Sequence, residues 1–181
     1  MNKNNITKTR RVRRYRPRAF SELPVDWRLV EGVRMHNGAR NYAGSARLLR
    51  EFVEQSRDVP VEVYFHLALA YNRLGQSEQA QAALLTAIER EPGYQEAISF
   101  IGHAFTCTRD FELAGHYLRL AIALDPTDYI PWGRLSNLYT AMGDLEATLM
   151  VQREAIRRNP GCPMLRRRFS ELILFGLDDP P

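Results

Sequence analysis

The chain of 181 residues has few of the groups from which enzymes build catalytic or metal sites. Its two cysteines, Cys107 and Cys162, are far apart, and its four histidines form no HExxH, HxH or CxxC pattern. A Gly-rich phosphate loop and a GxSxG serine motif are also missing. We therefore predict a chain that has no enzyme activity and takes no cofactor and no metal.

Long apolar stretches are missing as well. No window of the sequence approaches the roughly 18 consecutive apolar residues of a transmembrane helix, and the N-terminus lacks the apolar core of a secretory signal. Apolar residues make up 45% of the chain and charged residues 25%, which is typical of a soluble globular protein with one core. We expect a cytoplasmic protein.

Acidic residues are absent from the first part of the chain. Eight lysines and arginines precede the first acid, Glu22, whereas the net charge of the whole chain is +4, so the remainder carries about four negative charges in excess. Low hydrophobicity and the lack of helical periodicity predict that residues 1–22 are a disordered basic arm. Its arginines nearest Tyr15 are Arg10, Arg11, Arg13, Arg14, Arg16 and Arg18.

Several functions fit this arm, within residues 1–20. The arginines could bind phosphates while Tyr15 stacks on an exposed base, which is the chemistry of nucleic-acid binding. They could equally bind an acidic protein or an anionic membrane, form an organellar presequence, or remain a solvated tail.

The rest of the chain contains an internal repeat. A shift of 34 residues superimposes prolines, small residues and large apolar residues over three successive units. The matching sets are Pro92, Pro126 and Pro160; Ala87, Ala121 and Ala155; Leu67, Ile101 and Leu135; and Ala68, Gly102 and Ser136.

Each unit is predicted to be a pair of amphipathic helices. Tyr64, Leu67, Ala68 and Tyr71 follow the spacing of one buried helix face, and the small residue lets the second helix approach closely. The turn between the helices is predicted near Gly75, Arg109 and Gly143, with Asp110 and Asp144 capping the second helix. The prolines end each unit because the residue before a proline disfavours the helical conformation.

This unit resembles the tetratricopeptide repeat. The resemblance implies an all-α fold, a right-handed superhelical α-solenoid of antiparallel helix pairs with a C-terminal capping helix. The repeats are predicted at 61–94, 95–128 and 129–162, between a degenerate helical hairpin at 23–60 and a capping helix and tail at 163–181. In the last repeat Thr148 and Gln152 replace apolar residues, which predicts a less fully covered hairpin.

The two ends of the stack are predicted from apolar patterns. In the first hairpin the inward residues are expected to be Trp27, Val30 and Val33, then Tyr42, Ala46, Leu49 and Val53. A final helix at about 163–176 should cover the last hairpin with Met164, Leu165, Phe169, Leu172 and Ile173.

The resemblance also implies a concave groove lined by the first helix of each pair. The predicted groove residues are Phe65, His66, Leu69, Asn72, Phe100, His103, Arg134 and Asn137. The apolar residues could anchor a peptide or helix, and the polar ones could fix its orientation. Alternatively, the apolar residues could face the N-terminal segment or an adjacent helix.

One ligand of the resembling family can be rejected from the sequence. The clamp that holds acidic chaperone tails needs lysine and asparagine donors at positions where this chain has Phe65, Leu69, Phe100 and Ile130, and only Arg134 matches. Such a site cannot neutralise a buried carboxylate.

The predicted function is a non-catalytic protein–protein interaction scaffold or adaptor, chaperone-like in the way it holds a segment. The alternative is a nucleic-acid-associated protein that binds through its arm.

Overall fold

The structure is a computed structural model that describes residues 13–18 and 26–175. These ranges contain nine α-helices and no β-strand. The helices are α1 (Trp27–Asn37), α2 (Tyr42–Gln55), α3 (Val61–Arg73), α4 (Ser77–Arg90), α5 (Gln95–Cys107), α6 (Phe111–Leu124), α7 (Tyr129–Met142), α8 (Leu145–Arg158) and α9 (Pro163–Phe175). Across the described residues, no helix combines the length and apolar character needed to cross a bilayer.

The helices form a stack of hairpins. Within each hairpin α1 packs on α2, α3 on α4, α5 on α6 and α7 on α8, and each hairpin contacts the next through α2–α3, α4–α5 and α6–α7. The helix α5 also touches α7, and α9 packs on α8 at the end of the stack. Contacts between consecutive units are the organisation of an α-solenoid. The predicted all-α solenoid with a C-terminal capping helix is confirmed.

The turns inside the repeats have the conformation that the sequence pattern indicates. Gly75, Arg109 and Gly143 adopt φ values of +73°, +62° and +76°, which reverse the chain through the left-handed region. The carboxylates of Asp110 and Asp144 accept hydrogen bonds from the backbone N–H three residues later, at 3.3 and 2.9 Å. Both predicted helix caps are therefore present.

The small residue of each repeat lies where the paired helices come closest. A Cβ atom added at Gly102 would lie 2.7 Å from Cγ of Leu118, a side chain that is completely buried. Ala68 and Ser136, the equivalent residues of the neighbouring units, are also buried. The 34-residue repeat of small side chains thus reflects close packing between first and second helices.

The last hairpin is less covered than its neighbours, as predicted, although its two substituted positions are themselves buried. Five of its large apolar side chains are exposed: Tyr129, Ile130, Met142, Leu145 and Met150. Thr148 and Gln152 are 0% and 1% exposed. Gln152 Nε2 donates to Ser136 Oγ at 2.8 Å, and the Thr148 hydroxyl donates to the backbone carbonyl of Asp144 at 2.7 Å. Oε1 of Gln152 is buried without a partner among the described residues. Because these hydrogen bonds replace those with water, the polar side chains can be buried.

The first hairpin packs in a register that the 34-residue shift does not predict. Val33, Ala46 and Leu49 are buried as predicted. Leu29 and Phe52 are also buried, whereas Tyr42 and Val53 are only half-buried. The predictions for the side chains of Trp27 and Val30 lie outside the described residues.

The small residue of this hairpin is Gly32. A Cβ added there would lie 3.0 Å from Cγ of Leu49. Gly32 and Leu49 are one residue further apart in sequence than Gly102 and Leu118, so the turn between α1 and α2 is longer. This extra residue explains the shifted register.

The capping helix uses a narrower apolar face than predicted. Leu165 is buried against Trp132 and Ala155, but Met164 and Ile173 are exposed. Since no further hairpin follows α9 in the described residues, only one side of this helix is covered.

Candidate functional site

Three predicted groove residues come together in one row across consecutive first helices. Phe65 on α3 meets Phe100 on α5 edge to face, with 6.1 Å between the ring centroids. The guanidinium carbon of Arg134 on α7 lies 5.0 Å from the Phe100 ring centroid. All three side chains are half-buried, so part of each surface remains accessible. The row is an apolar surface that ends in a cation.

Arg134 is held rigidly but keeps its charge. Its Nη1 donates to Ser99 Oγ at 2.8 Å, and its stacking on Phe100 is a cation–π contact. Burial lowers the pKa of Arg134 to about 10, against the opposing effect of Asp128, so the guanidinium is charged at neutral pH. None of the ion pairs among the described residues involves Arg134. Its remaining N–H groups can donate to a bound segment.

The two predicted groove histidines are neutral side chains rather than charged ones. Burial, followed by the charge of His36, lowers the pKa of His66 to about 4, although Glu62 acts in the opposite direction. Burial and then Arg134 also hold the pKa of His103 below its ordinary value. Nδ1 of His66 is buried without a hydrogen-bond partner among the described residues. Both rings can therefore serve as neutral hydrogen-bonding groups beside the row.

The other predicted groove residues extend the surface at both ends. Leu69 and Asn72 are half-buried on α3, and Asn137 is exposed on α7. Oδ1 of Asn137 accepts a hydrogen bond from Arg168 of the capping helix. The sequence did not predict Arg168 at this face because α9 is not a full repeat and gives no register from which to place it.

A second assembly of side chains joins the N-terminal segment, residues 13–18, to the turns between hairpins. The backbone N–H of Tyr15 donates to the carbonyl of Gly93 at 2.7 Å. The Tyr15 ring packs edge-on against Tyr94 at 5.3 Å, and its hydroxyl donates to Glu62 at 2.6 Å. The prediction of a disordered arm did not include these contacts.

The N-terminal segment runs antiparallel to the order of the hairpins: its first residues contact the later hairpins and its last residues contact the earlier ones. Arg14 pairs with Asp125 at the α6–α7 turn, Tyr15 lies at the α4–α5 turn, and Arg18 pairs with Glu62 at the start of α3. Arg13 and Arg16 are exposed. The predictions for Arg10 and Arg11 lie outside the described residues.

Electrostatics stabilise this attachment. Burial alone would raise the pKa of Glu62, but hydrogen bonds from Tyr15 and Arg18 outweigh it and hold the pKa below its ordinary value. Burial, followed by the hydrogen bond to Glu62, raises the pKa of Tyr15 to about 12. While Tyr15 packs on Tyr94 it cannot stack on a nucleic-acid base. This geometry gives no support to nucleic-acid binding through the arm.

The two assemblies are in contact through aromatic rings. Tyr94, which carries Tyr15 on one side, lies 5.4 Å from Phe65, the first member of the groove row. The order of contact is therefore Tyr15, Tyr94, Phe65 and Phe100. Phe65 therefore reaches the N-terminal segment only through Tyr94, which lies between Phe65 and Tyr15.

The stack of helical hairpins defines the protein as a helical repeat protein. Residues 61–94 and 131–162 match the family model described as "Tetratricopeptide repeat". The resemblance seen in the sequence is confirmed at these two segments, each of which matches the repeat. Tetratricopeptide repeats bind other proteins, which supports the predicted protein-interaction scaffold.

Solved structures with the same fold cover most of the chain. The structure titled "MamA 41-end from Desulfovibrio magneticus RS-1" superimposes with a TM-score of 0.66 over 86% of this chain and 89% of that one, at 16% identity. The structure of TTC0263, a thermophilic tetratricopeptide-repeat protein of Thermus thermophilus, gives 0.59 over 82% of this chain and 98% of that one, at 22% identity. At these identities the likeness shows a shared fold.

A curated relative matches part of the chain. The general transcriptional corepressor trfA of Dictyostelium discoideum is 22% identical over 104 residues, which are 58% of this chain. The match spans only 8% of the length of that relative.

Proposed function

We propose that this protein holds an extended or helical segment of another protein in its concave groove. The observation that carries the proposal is the row of Phe65, Phe100 and Arg134, which three consecutive first helices place on one face. Half-buried aromatic rings and an arginine are the side chains that most often dominate binding energy at interfaces. The groove would take an apolar anchor on the rings and a hydrogen-bond acceptor beside Arg134.

The remaining groove residues define how selective such binding would be. His66 and His103 are neutral, because burial lowers the pKa of each. Leu69, Asn72 and Asn137 add one apolar and two amide groups around the row. A surface with few charges favours a partner segment of mixed apolar and polar character rather than a densely charged one.

The proposed role is that of an adaptor, or of a chaperone-like holder, in the cytoplasm. Both would use the same groove, and they differ in whether the bound segment is released when the partner folds. We infer that neither role includes catalysis. The thiol of Cys107 lies 3.9 Å from Nε2 of His103, which is the outer limit of a sulfur hydrogen bond, and no third side chain among the described residues forms a hydrogen bond that orients this ring.

The test is binding by charge-reversal variants. Phe65→Glu, Phe100→Glu and Arg134→Glu should each weaken capture of partner proteins by about 2 kcal/mol, or roughly thirtyfold, since each removes a central contact. Met150→Glu is the matched control, because Met150 is 64% exposed on the second helix α8. If all three groove variants retain every partner that the unmodified chain captures, the groove is not the binding site.

A further inference from the structure

Glu62 is a buried carboxylate that depends on the N-terminal segment. It is 3% exposed, and the described side chains that donate to it, Tyr15 and Arg18, both belong to that segment. The backbone N–H of Arg18 also donates to it, at 2.8 Å. A carboxylate is expensive to bury without such donors. This position therefore has the chemistry of a receptor for an arginine and a tyrosine hydroxyl.

Gly93 allows the backbone of the N-terminal segment to approach. A Cβ atom at this residue would lie 1.9 Å from the carbonyl oxygen of Arg13 and 2.9 Å from the backbone nitrogen of Tyr15. Gly93 is not among the glycines with positive φ, so the absence of a side chain serves this contact and not the turn. The equivalent position two repeats further along the chain is Gly161, where an added Cβ would meet nothing within 4 Å.

The inter-repeat turns present acids at the spacing of the arginines. Asp125 receives Arg14, and Glu62 receives Arg18, on either side of the Tyr15–Tyr94 contact. The segment between and beside these anchors is exposed, including Arg13, Arg16 and Pro17. Two ion pairs, one ring contact, one backbone hydrogen bond, and the hydrogen bonds of the Tyr15 hydroxyl and the Arg18 N–H to Glu62 hold the segment against the stack.

We propose that the inter-repeat turns around Glu62, Gly93 and Asp125 form a second peptide-binding site, separate from the concave groove. Its ligand is an extended segment with the pattern of Arg14, Tyr15 and Arg18: an arginine followed directly by a tyrosine, and a second arginine three residues after the tyrosine. Residues 13–18 occupy the site as an exchangeable intramolecular ligand. The proposal does not depend on the function of the groove.

The experiment weakens the intramolecular ligand and supplies the same sequence as a separate peptide. A tethered ligand competes at an effective concentration of about millimolar, so the peptide can bind well only after the tether's contacts are reduced. Four full-length chains are compared: the unmodified protein, Tyr15→Ala, Tyr15→Ala with Gly93→Ala, and Tyr15→Ala with Gly161→Ala. The probe is a fluorescent peptide of residues 10–19, followed by anisotropy.

The peptide should bind the Tyr15→Ala chain and the Tyr15→Ala, Gly161→Ala double variant with the same affinity. Binding to the unmodified chain and to the Gly93→Ala combination should be weaker by about tenfold or more, which corresponds to a loss of at least one good contact. A peptide with alanine in place of its tyrosine should lose affinity for Tyr15→Ala by a similar factor. Arg18→Ala provides a second variant with a weakened tether, and circular dichroism confirms that each chain is folded.

Three results would overturn the proposal. Equal binding to all chains would mean that the basic peptide associates through charge elsewhere. Absence of binding to both Tyr15→Ala and Arg18→Ala would mean that the turns are not an independent site. Binding to the unmodified chain as tight as to Tyr15→Ala would mean that residues 13–18 do not occupy it.

Discussion

Gly102→Ala tests the close packing on which the repeat depends. Alanine in a helix interior is normally better than glycine by about 1 kcal/mol, so propensity alone predicts stabilisation. In this structure the new Cβ would lie 2.7 and 3.0 Å from Cγ and Cδ2 of Leu118 and 3.2 Å from its backbone nitrogen. Leu118 is fully buried, so neither its side chain nor its backbone can move aside freely.

The expected result is a net loss of stability. Overpacking a core costs about 1–3 kcal/mol, which exceeds or cancels the gain in helix propensity. We therefore expect the free energy of unfolding of Gly102→Ala to fall by up to about 2 kcal/mol relative to the unmodified chain. The assay is equilibrium unfolding in urea followed by far-UV circular dichroism.

Gly115→Ala, on the partner helix α6, is the matched control. A Cβ there would meet the guanidinium of Arg119 at 3.1 Å, which is the far end of a flexible side chain that can swing away. This variant should gain most of the helix-propensity term, up to about 1 kcal/mol. If both variants are stabilised equally, the close approach of α5 and α6 at Gly102 is refuted.

Three further predictions concern other parts of the molecule. Gly93→Ala should displace the N-terminal segment, so that trypsin cleaves after Arg18 faster than in the unmodified chain or in Gly161→Ala. The pKa of His66 falls from 6.5 to about 4 on folding, so between these pH values the unfolded chain binds the proton more tightly than the folded chain. The free energy of unfolding should therefore be highest above pH 6.5 and should decrease as the pH falls to about 4, by up to about 3 kcal/mol in total. His66→Phe should lack this pH dependence. Gln152→Leu should cost about 1–3 kcal/mol by leaving the Ser136 hydroxyl unpaired, and adding Ser136→Ala should restore most of it.

Each of these has a clear opposite result. Unchanged trypsin cleavage in Gly93→Ala would show that the glycine is not needed for the contact with Arg13. An identical acid dependence of unfolding in His66→Phe and the unmodified chain would show that His66 is not the group responsible. A double variant no more stable than Gln152→Leu alone would show that the two side chains are not coupled.

The sequence predicted the central repeats well because their packing recurs. The same small residue, Ala68, Gly102 or Ser136, meets the same kind of neighbour in each unit, and this recurrence is visible as a 34-residue shift. Turn and cap positions followed from the same alignment, since Arg109 takes the backbone conformation of the equivalent glycines. Where the recurrence stops, in the first hairpin around Gly32, Val33, Ala46 and Leu49 are buried as predicted, but the buried Leu29 and Phe52 were missed.

Contacts specific to single residues could not be predicted in this way. The burial of Gln152 depends on a hydroxyl on another helix, and the position of Arg168 depends on how α9 turns against α7. Docking of the N-terminal segment depends on Glu62 and Gly93, which look like an ordinary helix-terminal acid and an ordinary turn glycine in the sequence. The predicted groove face follows from helix register, but the row of rings across it required the relative positions of three helices.

The central claim is that the face shared by the first helices receives a partner segment, and site-specific photocrosslinking measures this directly. A photoreactive phenylalanine analogue is placed at Phe100 in one chain and at Met150, exposed on α8, in another. Partner proteins should be crosslinked from position 100 and not from position 150. Crosslinking from position 150 with none from position 100 would contradict it.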